Sequence, residues 1–177
     1  KQKWLEVHGL EHWTHFYTDY GVGLQRRFFD FFLKQEDTGW SGQPKVQLQI
    51  RHPGEKFVER HEDEWPIART EWVKLYLDAA DSSLGLTHAN QPDSSTYLAN
   101  SEGLTFLMPP LKEAIEVTGP IASKLFISSS TEDADLFLIV RVFTPDMKEV
   151  TFQGSNDPHT PIALGWLRAS HRKLDCQ

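Results

Sequence analysis

Proton-transfer chemistry in this sequence starts with His8, His12 and His15, inside the N-terminal stretch Trp4 to His15. An imidazole titrates near neutrality, so it can take a proton and give it back. His12 stands three residues after Gly9, where the short apolar run Trp4, Leu5 and Val7 has ended. A strand that stops at Gly9 and hands over to a loop holds His12 at a sheet edge, where open α/β folds put their chemistry. The i, i+4, i+7 spacing of the three histidines would line one face of a helix, as metal ligands could. Gly9 breaks a helix there, however, and no carboxylate or cysteine completes a ligand pattern. No metal and no cofactor is therefore expected, and His8 and His15 read as packing or surface residues.

Other candidates have plainer uses. Glu59, Glu62, Asp63 and Glu64 form an acidic run that reads as a solvated turn before Trp65-Pro66. Asp133 and Asp135 follow three serines and shape a turn; a calcium-like site is the lesser reading. Ser128, Ser129 and Ser130 lack the tight glycine context of a nucleophile. Trp40, Trp65 and Trp72 could stack on carbohydrate, although large aromatics more often pack in cores or between domains.

The elements that must position these groups follow from periodicity. Lys3 to His8 suits a short buried strand, and Gly9 to Thr18 a loop. From Asp19, the spacing of Leu24, Phe28, Phe31 and Phe32 makes one helical apolar stripe, widened by Phe29 and Leu33. Arg26, Arg27, Asp30 and Lys34 fall mostly on the other side, and Gly39 is a natural stop. Trp40 to Pro44 is a composition break. Beyond it, Val46-Leu48-Ile50 alternates as a half-buried strand, His52 to Glu55 turns, and Phe57 to Arg60 continues. Strands are predicted at 70–78, 96–98, 104–107, 115–117, 122–128, 136–143, 150–152 and 163–169. Many short strands at close spacing mean a sandwich or jelly roll.

Bulk properties exclude several classes. The 177 residues carry a net charge of -7 with no basic stripe, which disfavours a nucleic-acid partner. No apolar run is long enough to span a membrane, and no signal peptide is visible. The single cysteine, Cys176, excludes an intrachain disulfide and fits a cytoplasmic protein.

Longer motifs carry a resemblance. Gly9-Leu10-Glu11-His12 is followed by Phe28-Phe29-Asp30-Phe31-Phe32-Leu33-Lys34. Then come Pro44-Lys45-Val46-Gln47-Leu48-Gln49-Ile50-Arg51, Trp65-Pro66 and Tyr76-Leu77. Glu116-Val117-Thr118-Gly119-Pro120-Ile121 leads through Leu125 to Ser130 and on to Asp133-Ala134-Asp135. In kind and order these resemble the CocE/NonD (cocaine-esterase-like) and X-Pro dipeptidyl-peptidase group of serine hydrolases.

The resemblance implies a mainly β chain. Residues 1–38 would be the last strand, His loop and helix of an α/β-hydrolase domain. Residues 44–177 would be a truncated, galactose-binding-like jelly-roll β-sandwich. It implies that His12 is the base of a serine triad acting on an ester or amide. The G-x-S-x-G that carries such a nucleophile is absent from this sequence. A start at Lys1, almost inside a strand, reads as that of a fragment. The chain alone is thus expected to be inactive, its partners being the missing α/β-hydrolase core and a small ester or peptide substrate. Homo-oligomer contacts through the jelly roll stay open. The rival expectation is a non-catalytic β-sandwich binding or structural module.

Overall fold

A computed structural model describes residues 2–89 and 91–173. In chain order the strands are β1 (Leu5–Val7), β2 (Val46–His52), β3 (Lys56–Glu62), β4 (Tyr76–Asp78), β5 (Ser83–Gly85), β6 (Asp135–Val140) and β7 (Ala163–Arg168). The α-helices are α1 (Thr14–Tyr17) and α2 (Asp19–Lys34), with 3-10 turns at Trp40–Gly42 and Ala169–His171. Two compact units result: Lys1–Ala68 with Gly119–Gln177, and Arg69–Thr118.

In the first unit, β1 pairs parallel to β2 with Leu5 opposite Val46 and Val7 opposite Leu48, and β2 pairs antiparallel to β3. Parallel neighbours need a long crossover, and α2 supplies it. Thr18 caps the helix by accepting from the Gly21 N–H at 3.0 Å. The helix ends earlier than the glycine suggested. Gln35 takes the left-handed conformation (φ 58°), and its N–H donates to the Asp30 carbonyl. Gly39 (φ 72°) instead opens the Trp40 turn. Asp30 is buried rather than on the solvent side, because Lys34 (2.7 Å) and Arg26 (3.3 Å) close over its carboxylate. Arg27 and Thr38 then tie the helix to the crossover: Thr38 Oγ1 donates to the Arg27 carbonyl at 2.9 Å.

The aromatic stripe has a partner. Trp4, Phe28 and Trp40 pack edge to face at 5.1–6.3 Å, with Phe32 5.8 Å from Trp4. Arg27 sits 5.8 Å over the Trp40 ring. Beside this cluster, Val46, Leu48 and Ile67 form the buried centre of the sheet. The segments after β3 return to the same unit. Phe152 bridges Thr160, Arg51 lies 4.6 Å over the Phe152 ring, and the Gln153 N–H donates to Glu55 at 2.9 Å. β6 and β7 form a separate antiparallel pair from Asp135–Arg168 to Val140–Ala163.

In the second unit, β4 pairs antiparallel to β5, and Leu107 joins by exchanging backbone hydrogen bonds of 3.0 Å with Ser82 and Leu84. Among the described residues the ladders make three small sheets, mixed and strand-rich, and do not draw a jelly roll. The segments expected as strands at 96–98, 115–117 and 122–128 carry no ladder among the described residues, and of 70–78 only Tyr76–Asp78 is paired. Alternation sets which side chains share a face, but a strand exists only where another strand takes its N–H and C=O groups. The Gly9–Thr18 loop is likewise interrupted by α1.

Trp40 is the hinge of the aromatic cluster and only 5% exposed. Replacing it with alanine is expected to cost about 3–5 kcal/mol, read from chemical denaturation followed by circular dichroism.

Candidate functional site

The site begins where β1 ends. Gly9 is buried, and its N–H donates to Gln49 Oε1 on β2 at 2.9 Å. A Cβ placed on Gly9 would lie 2.0 Å from the Phe57 ring, so glycine lets the backbone approach that ring as closely as it does. The loop then rises to His12, which is exposed. Glu11 is held by Thr14, whose hydroxyl donates to Glu11 Oε2 at 2.5 Å.

His12 is oriented by a residue far away in sequence. Its backbone N–H donates to the Ser155 carbonyl at 3.4 Å, and its Nδ1 lies 3.5 Å from the same oxygen. A carbonyl only accepts, so this contact favours a proton on Nδ1 and leaves Nε2 as the basic nitrogen. Ser155 sits in the turn of the 152–160 hairpin, closed by the Gly154 N–H donating to the Asp157 carbonyl at 2.7 Å. Trp13 stands edge-on to the His12 ring at 4.8 Å.

His8 and His15 are not scattered surface residues. Their rings stack at 4.2 Å, tilted by 14°. His15 Nε2 donates to Glu6 Oε1 on β1 at 2.9 Å. Burial first, and then the neighbouring His15, push His8 below the usual histidine range, against the pull of Glu6 and the Leu10 backbone. Tyr20 lies 5.3 Å from His15, and burial and the Glu6 carboxylate push its hydroxyl up. Sequence spacing named all three histidines. The Glu6–His15 pair escaped it because the partners sit on a strand and a helix whose approach is tertiary.

The remaining candidates are placed as follows. His61 donates to Glu59 at 2.7 Å and Arg60 pairs with Glu62 at 2.7 Å, so half of the acidic run is engaged in charge pairs on β3. Asp133 accepts from the Ser170 N–H and Ala134 N–H, both at 2.9 Å, and Asp135 takes Arg168 in a two-pronged pair at 2.7 and 2.8 Å. These partners, Ser170 and Arg168 first among them, hold both carboxylates below the usual range. Their oxygens are thus turned to protein donors. Ser129 shares a 2.8 Å hydrogen bond with Thr131 in a local turn. Trp40 lies in the core, whereas Trp65 and Trp72 are exposed. Among the described residues no group of three or more His, Cys, Asp or Glu is arranged to hold a metal. No helix there is long and apolar enough to cross a membrane. Cys176 lies outside the described residues.

Known proteins share this arrangement of elements. Residues 38–177 match the family model of the X-Pro dipeptidyl-peptidase C-terminal non-catalytic domain. Cocaine esterase from Rhodococcus sp. (strain MB1 Bresler) is 26% identical over a region covering 72% of this chain and 28% of the esterase. Two crystal structures of a CocE/NonD family hydrolase from Staphylococcus aureus superpose with TM-scores of 0.72 and 0.79, at 27% and 25% identity. Each superposition covers 98% of this chain and 32% of that one. The chain spans less than a third of the length of these relatives.

Two outcomes follow from the geometry. Gly9→Ala is expected to lower stability by about 1–3 kcal/mol, and Phe57→Ala to relieve part of that loss in the double variant, measured by a denaturant double-mutant cycle. Because His8 is depressed, the unfolded chain binds its proton more readily than the folded one. Its contribution is present above about pH 6.5 and is lost as pH falls through the folded value. A midpoint-against-pH curve should fall on acidification in that window and flatten there in His8→Asn.

Proposed function

This chain belongs to the family of CocE/NonD hydrolases and X-Pro dipeptidyl-peptidase C-terminal domains, and on that premise we propose that it is the C-terminal portion of a serine hydrolase. Residues 1–38 are the last strand, His loop and helix of its α/β-hydrolase domain. The region from Pro44 onward, strand-rich and matched to the C-terminal non-catalytic domain, would cover the active site. The observation that supports this reading is the Gly9–His12 loop, which leaves β1 between Gln49 and Phe57 and presents an exposed imidazole with its Nδ1 toward a carbonyl.

In this reading the substrate is a small-molecule ester or a peptide. A serine elsewhere in the enzyme attacks the carbonyl carbon. His12 Nε2 takes the serine proton as the new bond forms, and returns it to the leaving alcohol or amine as the old one breaks. A second base function, activating water, releases the acyl group. This chain supplies the base and lacks the G-x-S-x-G nucleophile motif.

A second reading is favoured by one observation: the matched family model describes a non-catalytic domain and covers residues 38–177. Under it the chain is a binding or structural β module. A glycan-binding screen of the chain with a positive result would support that module.

The hydrolase reading has a direct test. The chain by itself should leave a fluorophosphonate serine probe unreacted. A longer protein carrying an upstream G-x-S-x-G segment should hydrolyse p-nitrophenyl esters, and His12→Ala should lower its kcat by about 10⁴-fold or more. Undiminished turnover in that variant would remove His12 from the mechanism.

A further inference from the structure

We infer that Glu6 and His15 form a clamp that positions the His12 loop; the inference rests on reading His12 as the general base. The two partners flank that loop. Glu6 is the residue before the last of β1, and His15 is the second residue of α1, so their contact closes the base of the His8–Trp13 segment. His15 Nε2 donates to Glu6 Oε1 at 2.9 Å. The side chains are only 12% and 19% exposed, which shields the contact from the screening that weakens surface pairs.

Other contacts extend the clamp into the loop. The His8 ring, first in the loop, stacks on His15 at 4.2 Å, and the Tyr20 ring backs His15 at 5.3 Å. Above the base, Thr14 holds Glu11 at 2.5 Å, but the ties on His12 itself are weaker. The two contacts that orient His12 itself, to the Ser155 carbonyl, are 3.4 and 3.5 Å long. Contacts at that length are too weak to hold a loop alone. The position of His12 therefore depends on where α1 is held against β1, and the Glu6–His15 pair, with Tyr20 facing the same Glu6 carboxylate, is a polar side-chain contact that holds it. Neither residue is placed on substrate or on the reacting atoms. Both act through His12.

The test reads His12 in the chain as it stands. Nitrogen-15 histidine spectra report which ring nitrogen carries the proton, and amide exchange reports the His12 N–H. His15→Ala should speed exchange of the His12 amide by about tenfold and erode its Nδ1–H preference. Protection of the Gly9 amide, tied to Gln49, should stay unchanged. His15→Gln keeps a donor for Glu6 and should restore most of the protection. Glu6→Met keeps length and volume but removes the acceptor for His15, so it serves where the alanine variant fails to fold, and it should loosen His12 in the same sense. Unchanged His12 exchange and tautomer in His15→Ala and Glu6→Met would overturn the clamp. In the longer protein, His15→Ala should lower kcat while KM holds. If that protein lacks esterase turnover before any substitution, the hydrolase reading fails, and the His12 exchange data still decide the clamp.

Discussion

Two parallel strands cannot be joined by a tight turn, and that constraint organises the first unit of this molecule. The β1–β2 ladder, Leu5 against Val46 through Val7 against Leu48, forces the chain to travel from one end of the pair back to the other. Helix α2 makes most of that journey. Its aromatic stripe is then obliged to face Trp4, just before β1, and Trp40, just before β2. The same constraint frees the end of β1: the chain must leave the sheet there before it can turn into the helix. The His12 loop occupies that exit.

Polar contacts between elements surround a small apolar core. The fully packed centre is small: Val46, Leu48 and Ile67, with Trp40 beside them and Val150 and Phe152 in the returning segments. Around it, buried or half-buried polar atoms find partners across elements. Asp30 gathers two cations and two backbone amides at the end of α2. Gln49 closes the start of the loop, and the 152–160 hairpin delivers the Ser155 carbonyl to His12 from more than a hundred residues away. An unpaired polar group at such positions costs more than the pair gains, so each contact fixes direction as well as distance.

Large apolar side chains face outward in number. Phe29, Phe32 and Leu33 on α2 are exposed, as are Phe126, and Phe137 and Trp166 on the paired strands β6 and β7. A lone exposed leucine is ordinary, and here the exposed large apolar side chains are many. Their number accords with a chain that spans less than a third of its relatives' length, most of whose bulk lies in sequence outside it.

The sequence by itself determined the local periods. It placed β1, α2, β2 and β3 within a few residues, because alternation and the 3.6-residue stripe are properties of neighbouring side chains. It singled out Gly9 and His12, and through longer motifs it determined the family. Tertiary structure alone decided what those residues face. The close approach that glycine allows at position 9 is to a Phe57 ring on another strand. His8 is depressed by burial first and then by the His15 ring stacked on it, and His15 is held because Glu6 lies across from it. The segments at 115–117 and 122–128 show the same division from the other side. Their alternation is legible, yet a ladder is a relation between two segments, and only the fold decides which segments meet.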